Sequence, residues 1–169
     1  MLTTVYRGDT RSPGEMVWYK GFYCKNGANL QICKRHLLEK LTTVNLLEIT
    51  QWIVSTKDPH FVSFGIDEGC GGYGTQGNIY KISLDSVNWK QIVVKGKGRT
   101  NPLLEPTFWV NKNTIEDSDY IGIQHRKEEV TFPFGIPISF VTDYKLKDTD
   151  IWQSMKGVQP EQPAAKKLW

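Results

Sequence analysis

Apolar residues recur at helical spacing in one stretch of this chain. Across residues 30–41 (LQICKRHLLEKL), Leu30, Cys33, Leu37, Leu38 and Leu41 fall on one stripe, which predicts a helix. Elsewhere the apolar residues come in short runs that alternate or stand between turn residues, as strands do. TTVYRGD, residues 3–9, reads as a strand, with a turn after it in RSPGEM. QWIVST, residues 51–56, reads as a buried strand, and a helical turn is expected after Pro59 in KDPHFVSFGI. IYKISL (79–84), QIVVKG (91–96), EVTFPFG (129–135) and ISFVTDYKL (138–146) read as further strands, with a polar loop in the segment before Glu129. Many strands and one clear helix predict an α+β fold.

A chain of 169 residues suggests one domain. That length can bury a core without disulfides or metals. From residue 153 the composition turns polar and Pro-rich without periodicity (QSMKGVQPEQPAAKKLW), so a folded domain over 1–152 and a disordered tail over 153–169 are expected. The net charge of +3 is mild, and it permits nucleic acid as a partner without arguing for it.

The three cysteines, Cys24, Cys33 and Cys70, are odd in number and widely spaced, which is no disulfide framework. With no C-x-x-C pair, a structural zinc site is not expected. Thiols of this kind fit a reducing compartment. MLTTVYRGDT shows no signal-peptide pattern, and no apolar run reaches the length of a membrane span.

Gly69, Gly71 and Gly74 spell a literal G-x-G-x-x-G. A Rossmann fingerprint needs a helix after it to hold a pyrophosphate, and here a strand follows. The loop is then a joint between two elements, or a loop beside a ligand. His36, His60 and His125 show no metal-ligand spacing. Arg7 inside a strand, Ser55 and Thr56 at the end of another, and Glu129 at the start of a third each have an ordinary reading when taken singly.

Their order and company point further. VYRGDTRSPGEM with the later Gly-Phe resembles the opening of cholera-toxin-like and pertussis-toxin-like ADP-ribosyltransferases, which begin with a Tyr-Arg-x-Asp strand, an Arg-Pro-rich turn and a Gly-Phe. WIVSTKDP is similar to their Ser-Thr-Ser strand. EVTFPFGIPISFV is similar to their catalytic-glutamate strand, including the Gly-Ile-Pro that follows. The resemblance spans about residues 3–146.

It implies an α+β domain of two antiparallel sheets packed around an NAD cleft, with NAD as substrate and no metal. Arg7 would bind an NAD phosphate and Gly8 would lie close to the nicotinamide amide. Ser55 would orient the glutamate, Thr56 would support the nicotinamide ribose region, and Glu129 would hold the ribose 2′-hydroxyl. The glycine loop falls at the family's phosphate–nicotinamide loop. Arg126, Lys127 and Glu128 fall where the family reads its target.

Two positions depart from the pattern. Lys57 replaces the third hydroxyl residue of the middle motif. Lys127 stands two before Glu129, where arginine-modifying members carry Glu and others carry Gln. The expected activity is mono-ADP-ribosyl transfer by a bacterial toxin or effector domain, countered by a neutralising immunity protein. A protein target comes first and a nucleic-acid target second, because Arg126 and Lys127 could hold phosphates. The alternatives are an NAD glycohydrolase and a catalytically dead binding module of the same fold.

Overall fold

The structure, a computed structural model, describes residues 2–23, 61–70, 74–93, 120–126, 128–133 and 135–164. In chain order these form β1 (Thr4–Asp9), α1 (Pro13–Tyr19), β2 (Gly21–Tyr23), β3 (Phe61–Gly65), β4 (Asn78–Ser83), β5 (Trp89–Val93), β6 (Tyr120–Arg126), β7 (Glu129–Pro133), β8 (Gly135–Pro137), a 3-10 turn (Ile138–Phe140), β9 (Val141–Lys145) and β10 (Trp152–Ser154). Eight strands make one sheet in the order β10-β9-β4-β1-β3-β7-β6-β5, and β2 pairs with β8 in a second. Every pairing is antiparallel except β5 beside β6. The fold is α+β, dominated by the antiparallel sheet. No helix among the described residues is long and apolar enough to cross a membrane.

Strand alternation builds the core. On β1, Val5, Arg7 and Asp9 share a face, and the register sets Ile82, Tyr80 and Asn78 of β4 beside them. Val62 and Phe64 of β3 match Phe132 and Val130 of β7 on that same face. The second sheet and α1 cover it with Phe22, Ile136 and Met16, all fully buried. The Phe22 ring meets Phe64 at 5.9 Å and Tyr80 at 5.3 Å, both edge-on. Gly135 has φ 117°, and a Cβ there would run into the backbone of Phe22, so the two short strands can approach only at a glycine.

RSPGEM is not a turn but the start of α1. Ser12 Oγ accepts from Glu15 N at 3.1 Å while Glu15 Oε2 accepts from Ser12 N at 2.8 Å, a reciprocal capping box, with Pro13 at the first helical position. Lys20, at φ 64°, ends the helix in the left-handed region. FVSFG is likewise a strand, β3, where a helical turn was expected. Its interior place between β1 and β7, with pairing on both sides, favours the strand.

Residues 153–164 are not a loose tail. Trp152–Ser154 pairs with β9, Met155 N donates to Thr142 O at 2.9 Å, and Met155 is buried. Val158 packs against the core, and Glu161 N reaches Gly14 O at 2.9 Å. Two apolar residues spaced by strand and turn geometry are enough to hold this segment down without any period in its sequence. The helix expected over residues 30–41 and the strand over 51–56 lie outside the described residues.

Candidate functional site

Arg7 grows from the apolar face of β1, between buried Val5 and Asp9. Its guanidinium carbon lies 5.9 Å from the ring centres of both Phe22 and Phe64. Nη1 donates to Ser63 O at 2.6 Å, across to β3. Nε is buried and has no hydrogen-bond partner among the described residues, and the nearest acid among them, Asp9 Oδ2, stands 3.9 Å away. The side chain as a whole keeps 30% exposure, although its Nε is buried. Burial lowers the Arg7 pKa from the ordinary arginine value; Asp9 is the strongest opposing influence, with Cys70 and Glu129 also raising it.

Asp9 belongs to a second arginine. Arg11 Nε donates to Asp9 Oδ1 at 2.8 Å and Nη2 to Oδ2 at 2.6 Å, a two-pronged pair, and Arg11 N adds 3.0 Å to Oδ1. Burial pushes the Asp9 carboxyl up, but these contacts win and hold it below its usual range. The Arg11 backbone is fixed independently, its carbonyl accepting from Tyr80 Oη at 2.6 Å and from Asn78 Nδ2 at 3.0 Å.

Glu129 opens β7, two strands away from Arg7. Gly65 is the Cα partner of Tyr6 on one side and of Glu129 on the other, so Tyr6, Gly65 and Glu129 form a row across three strands. By alternation this row lies on the face opposite Phe64 and Val130. Ser63 lies on the row's face, opposite Thr131, with 3.1 Å between the two hydroxyl oxygens. Ser63 is therefore the diagonal neighbour of Glu129, a spacing that a glutamate side chain can span.

The glycine loop closes over the same end of the sheet. A Cβ on Gly65 would meet Cys70 Cα at 2.5 Å, so the Cys70 backbone rests directly on Gly65. Gly74 N donates to Gly69 O at 3.0 Å, and Glu68 ties the loop to β9 through Lys145 Nζ at 2.9 Å. Between the loop and the end of β9 runs an open groove of about 550 Å³, lined by Glu68, Gly69, Gly74, Thr75, Ile79 and Lys145. Burial, with Asp67 and Glu68 nearby, pushes the Cys70 thiol up to about 11.

Of the residues expected at a site, the structure sets Arg7, Gly8 and Glu129 on central strands at neighbouring levels of the sheet, Arg7 on the core face and Gly8 and Glu129 on the opposite face by alternation. Gly8 is the strand partner of Ile79, whose side chain lines the groove. Glu128 is exposed, and its carbonyl accepts from Ile66 N at 3.1 Å. Arg126 is the strand partner of Glu129 across the β6–β7 connection. Ser55, Thr56 and Lys127 lie outside the described residues. Sequence reading missed Ser63, Asp9 and Arg11. A hydroxyl alternating with Val62 and Phe64 was the signal for Ser63, and the Arg-x-Asp-x-Arg spacing was the signal for the pair. Among the described residues no group of three His, Cys, Asp or Glu is placed to hold a metal ion. No protein-family model matches the chain, and no curated protein matches it.

Proposed function

We propose that this chain is an NAD-dependent mono-ADP-ribosyltransferase of the Arg–Ser–Glu type, acting as a bacterial toxin or effector domain, with its two sheets packed in the manner of that family. One observation carries the reading. A hydroxyl-bearing strand, β3, stands between the strand of Arg7 and the strand of Glu129, with Arg7 bonded to the backbone of Ser63 and Ser63 diagonal to Glu129. The strands of the first and third resembling motifs thus flank β3, while the middle motif, WIVSTKDP with Ser55 and Thr56, lies outside the described residues. Ser63 is the hydroxyl we assign to orienting Glu129, because it lies on the intervening strand.

The chemistry suits this set. Arg7 presents a partly exposed charge beside two aromatic rings, which suits an NAD phosphate. As the bond between nicotinamide and ribose breaks, positive charge develops on the ribose. The Glu129 carboxylate stabilises that charge and holds the 2′-hydroxyl. The bonding pair leaves with nicotinamide, and an acceptor nucleophile forms the new bond at C1′ and releases its proton. The protein uses NAD as substrate and no metal. Its acceptor is a protein side chain first and a nucleic acid second, and an immunity protein would act by covering the site.

The test is incubation with NAD labelled in the adenosine half and a cell lysate, with separate protease and nuclease digestion. Label lost to protease marks a protein acceptor, and label lost to nuclease marks a nucleic acid. Nicotinamide release without labelled product marks a glycohydrolase that uses water. No nicotinamide release above background contradicts the proposal and leaves a binding module.

A further inference from the structure

Asp9 stands between two guanidinium groups and, among the described residues, hydrogen-bonds only that of Arg11. Its Oδ2 takes Arg11 Nη2 at 2.6 Å, and the same oxygen lies 3.9 Å from Arg7 Nε, a buried donor without a hydrogen-bond partner among the described residues. A buried polar group left unpaired is costly. A shift of Oδ2 by about an ångström would bring it within hydrogen-bond range of Nε. What prevents the shift is the planar hold of Arg11 on both oxygens.

We propose that Arg11 is a positioning residue for Arg7: by holding Asp9 with two parallel bonds, it keeps that carboxylate out of hydrogen-bond range of Arg7 Nε, so that Asp9 offsets the Arg7 charge less than a bonded partner would and leaves more of it for an anionic group of the ligand. The identity of that ligand as NAD rests on the function proposed above. The hold itself does not.

Without the Arg11 side chain, the backbone bond from Arg11 N to Asp9 Oδ1 remains, at 3.0 Å, and pivots the carboxylate. Oδ2 is then released toward Arg7 Nε. An internal ion pair at Arg7 competes with any incoming anion, since a carboxylate already occupies one edge of the fork. The adjoining Phe22 and Phe64 rings, which pack against the guanidinium together, make that pair stronger than it would be in water.

The experiment has two arms on the full chain. In the first, nitrogen-15 NMR of arginine-labelled protein follows the Arg7 Nε–H, identified by its loss in Arg7→Lys, with no ligand present. In Arg11→Gln this proton should move downfield as it gains a carboxylate partner, and in Arg11→Gln with Asp9→Asn the shift should vanish. A proton unmoved in Arg11→Gln overturns the proposal, whatever the protein binds.

The second arm measures NAD affinity by calorimetry and nicotinamide release by kinetics. Arg11→Gln should weaken NAD binding about 10- to 100-fold with kcat little changed, the loss expected when a charged contact is blocked. Adding Asp9→Asn should restore binding to within a few fold, because no carboxylate remains to compete. A double variant as weak as Arg11→Gln alone makes Arg11 merely structural and overturns the proposal. Wild-type protein that binds no NAD contradicts the functional reading instead, and the resonance of Arg7 still decides the role of Arg11.

Discussion

Glu129 is the strand partner of Gly65, so the position facing the candidate catalytic glutamate carries no side chain. The space above Gly65 belongs to the backbone of Cys70, which a Cβ would meet at 2.5 Å. One glycine thus lets the loop descend onto the sheet beside the glutamate.

Gly65→Ala should therefore act on both stability and site. The contact is with backbone, which has little room to give, so the variant should lose about 1–3 kcal/mol. Urea denaturation checks the loss. An unchanged midpoint would mean that the loop does not rest on Gly65.

Cys70 should give the protein an alkaline limb. Its folded-state pKa of about 11 lies above the ordinary thiol value of 9.0, because burial disfavours the thiolate. Between those values the unfolded chain has lost the proton and the folded chain keeps it. The folded state then binds more protons, and stability falls as pH rises from about 9 to 11, by an order of 2 kcal/mol. Urea midpoints at pH 8.5 and 10.5 should differ less in Cys70→Ser than in the unaltered protein. The same thiol should resist alkylation at pH 8, read by mass spectrometry of the peptide that carries it.

Met155→Ala should cost about 2–4 kcal/mol, as truncation of a buried methionine does. Ser12→Ala should cost about 1 kcal/mol through the lost helix cap. A disordered tail would make the first change silent, so thermal denaturation of Met155→Ala distinguishes the two descriptions.

The pattern of short apolar runs set between turn residues made β1, β4, part of β5, β7 and β9 legible in the sequence. It failed at β3, where Pro59 was read as the start of a helical turn. The strand is held by partners on both sides, a long-range fact that no local window contains. The helix α1 was legible in principle from Ser12, Pro13 and Glu15, yet its proline and glycine were taken for a turn. Met155 and Val158 show no period, and their burial depends on where β9 and α1 stand. At the site, Arg7 and Glu129 were singled out through a resemblance, whereas Ser63 needed the strand order to be noticed. The division of Asp9 between two arginines needed side-chain geometry, since the sequence spacing alone would allow either partner.

Lys127 makes a prediction about the acceptor. Arginine-modifying members carry an acid at this position, and a lysine repels a guanidinium. The protein should modify arginine or agmatine poorly. With a nucleic-acid acceptor, Lys127→Ala should weaken target use and reduce its salt slope by about one unit, while NAD hydrolysis by water persists. Efficient agmatine modification by the unaltered protein would show that the lysine does not exclude arginine.

Arg7→Lys should severely impair NAD cleavage. An ammonium cannot both bond Ser63 O and present a flat donor edge to a phosphate. Steady-state kinetics with near wild-type kcat and KM would remove Arg7 from the site.

The rate of nicotinamide release from NAD, measured side by side in Glu129→Gln and Glu128→Gln, tests the central claim most directly. Glu129 begins β7 beside Gly65, whereas Glu128 is exposed. The account predicts that Glu129→Gln retains NAD binding within a few fold but cleaves NAD about a hundredfold more slowly or worse, while Glu128→Gln stays near the unaltered protein. A dead Glu128→Gln beside an active Glu129→Gln, or equal activity in both, would contradict it.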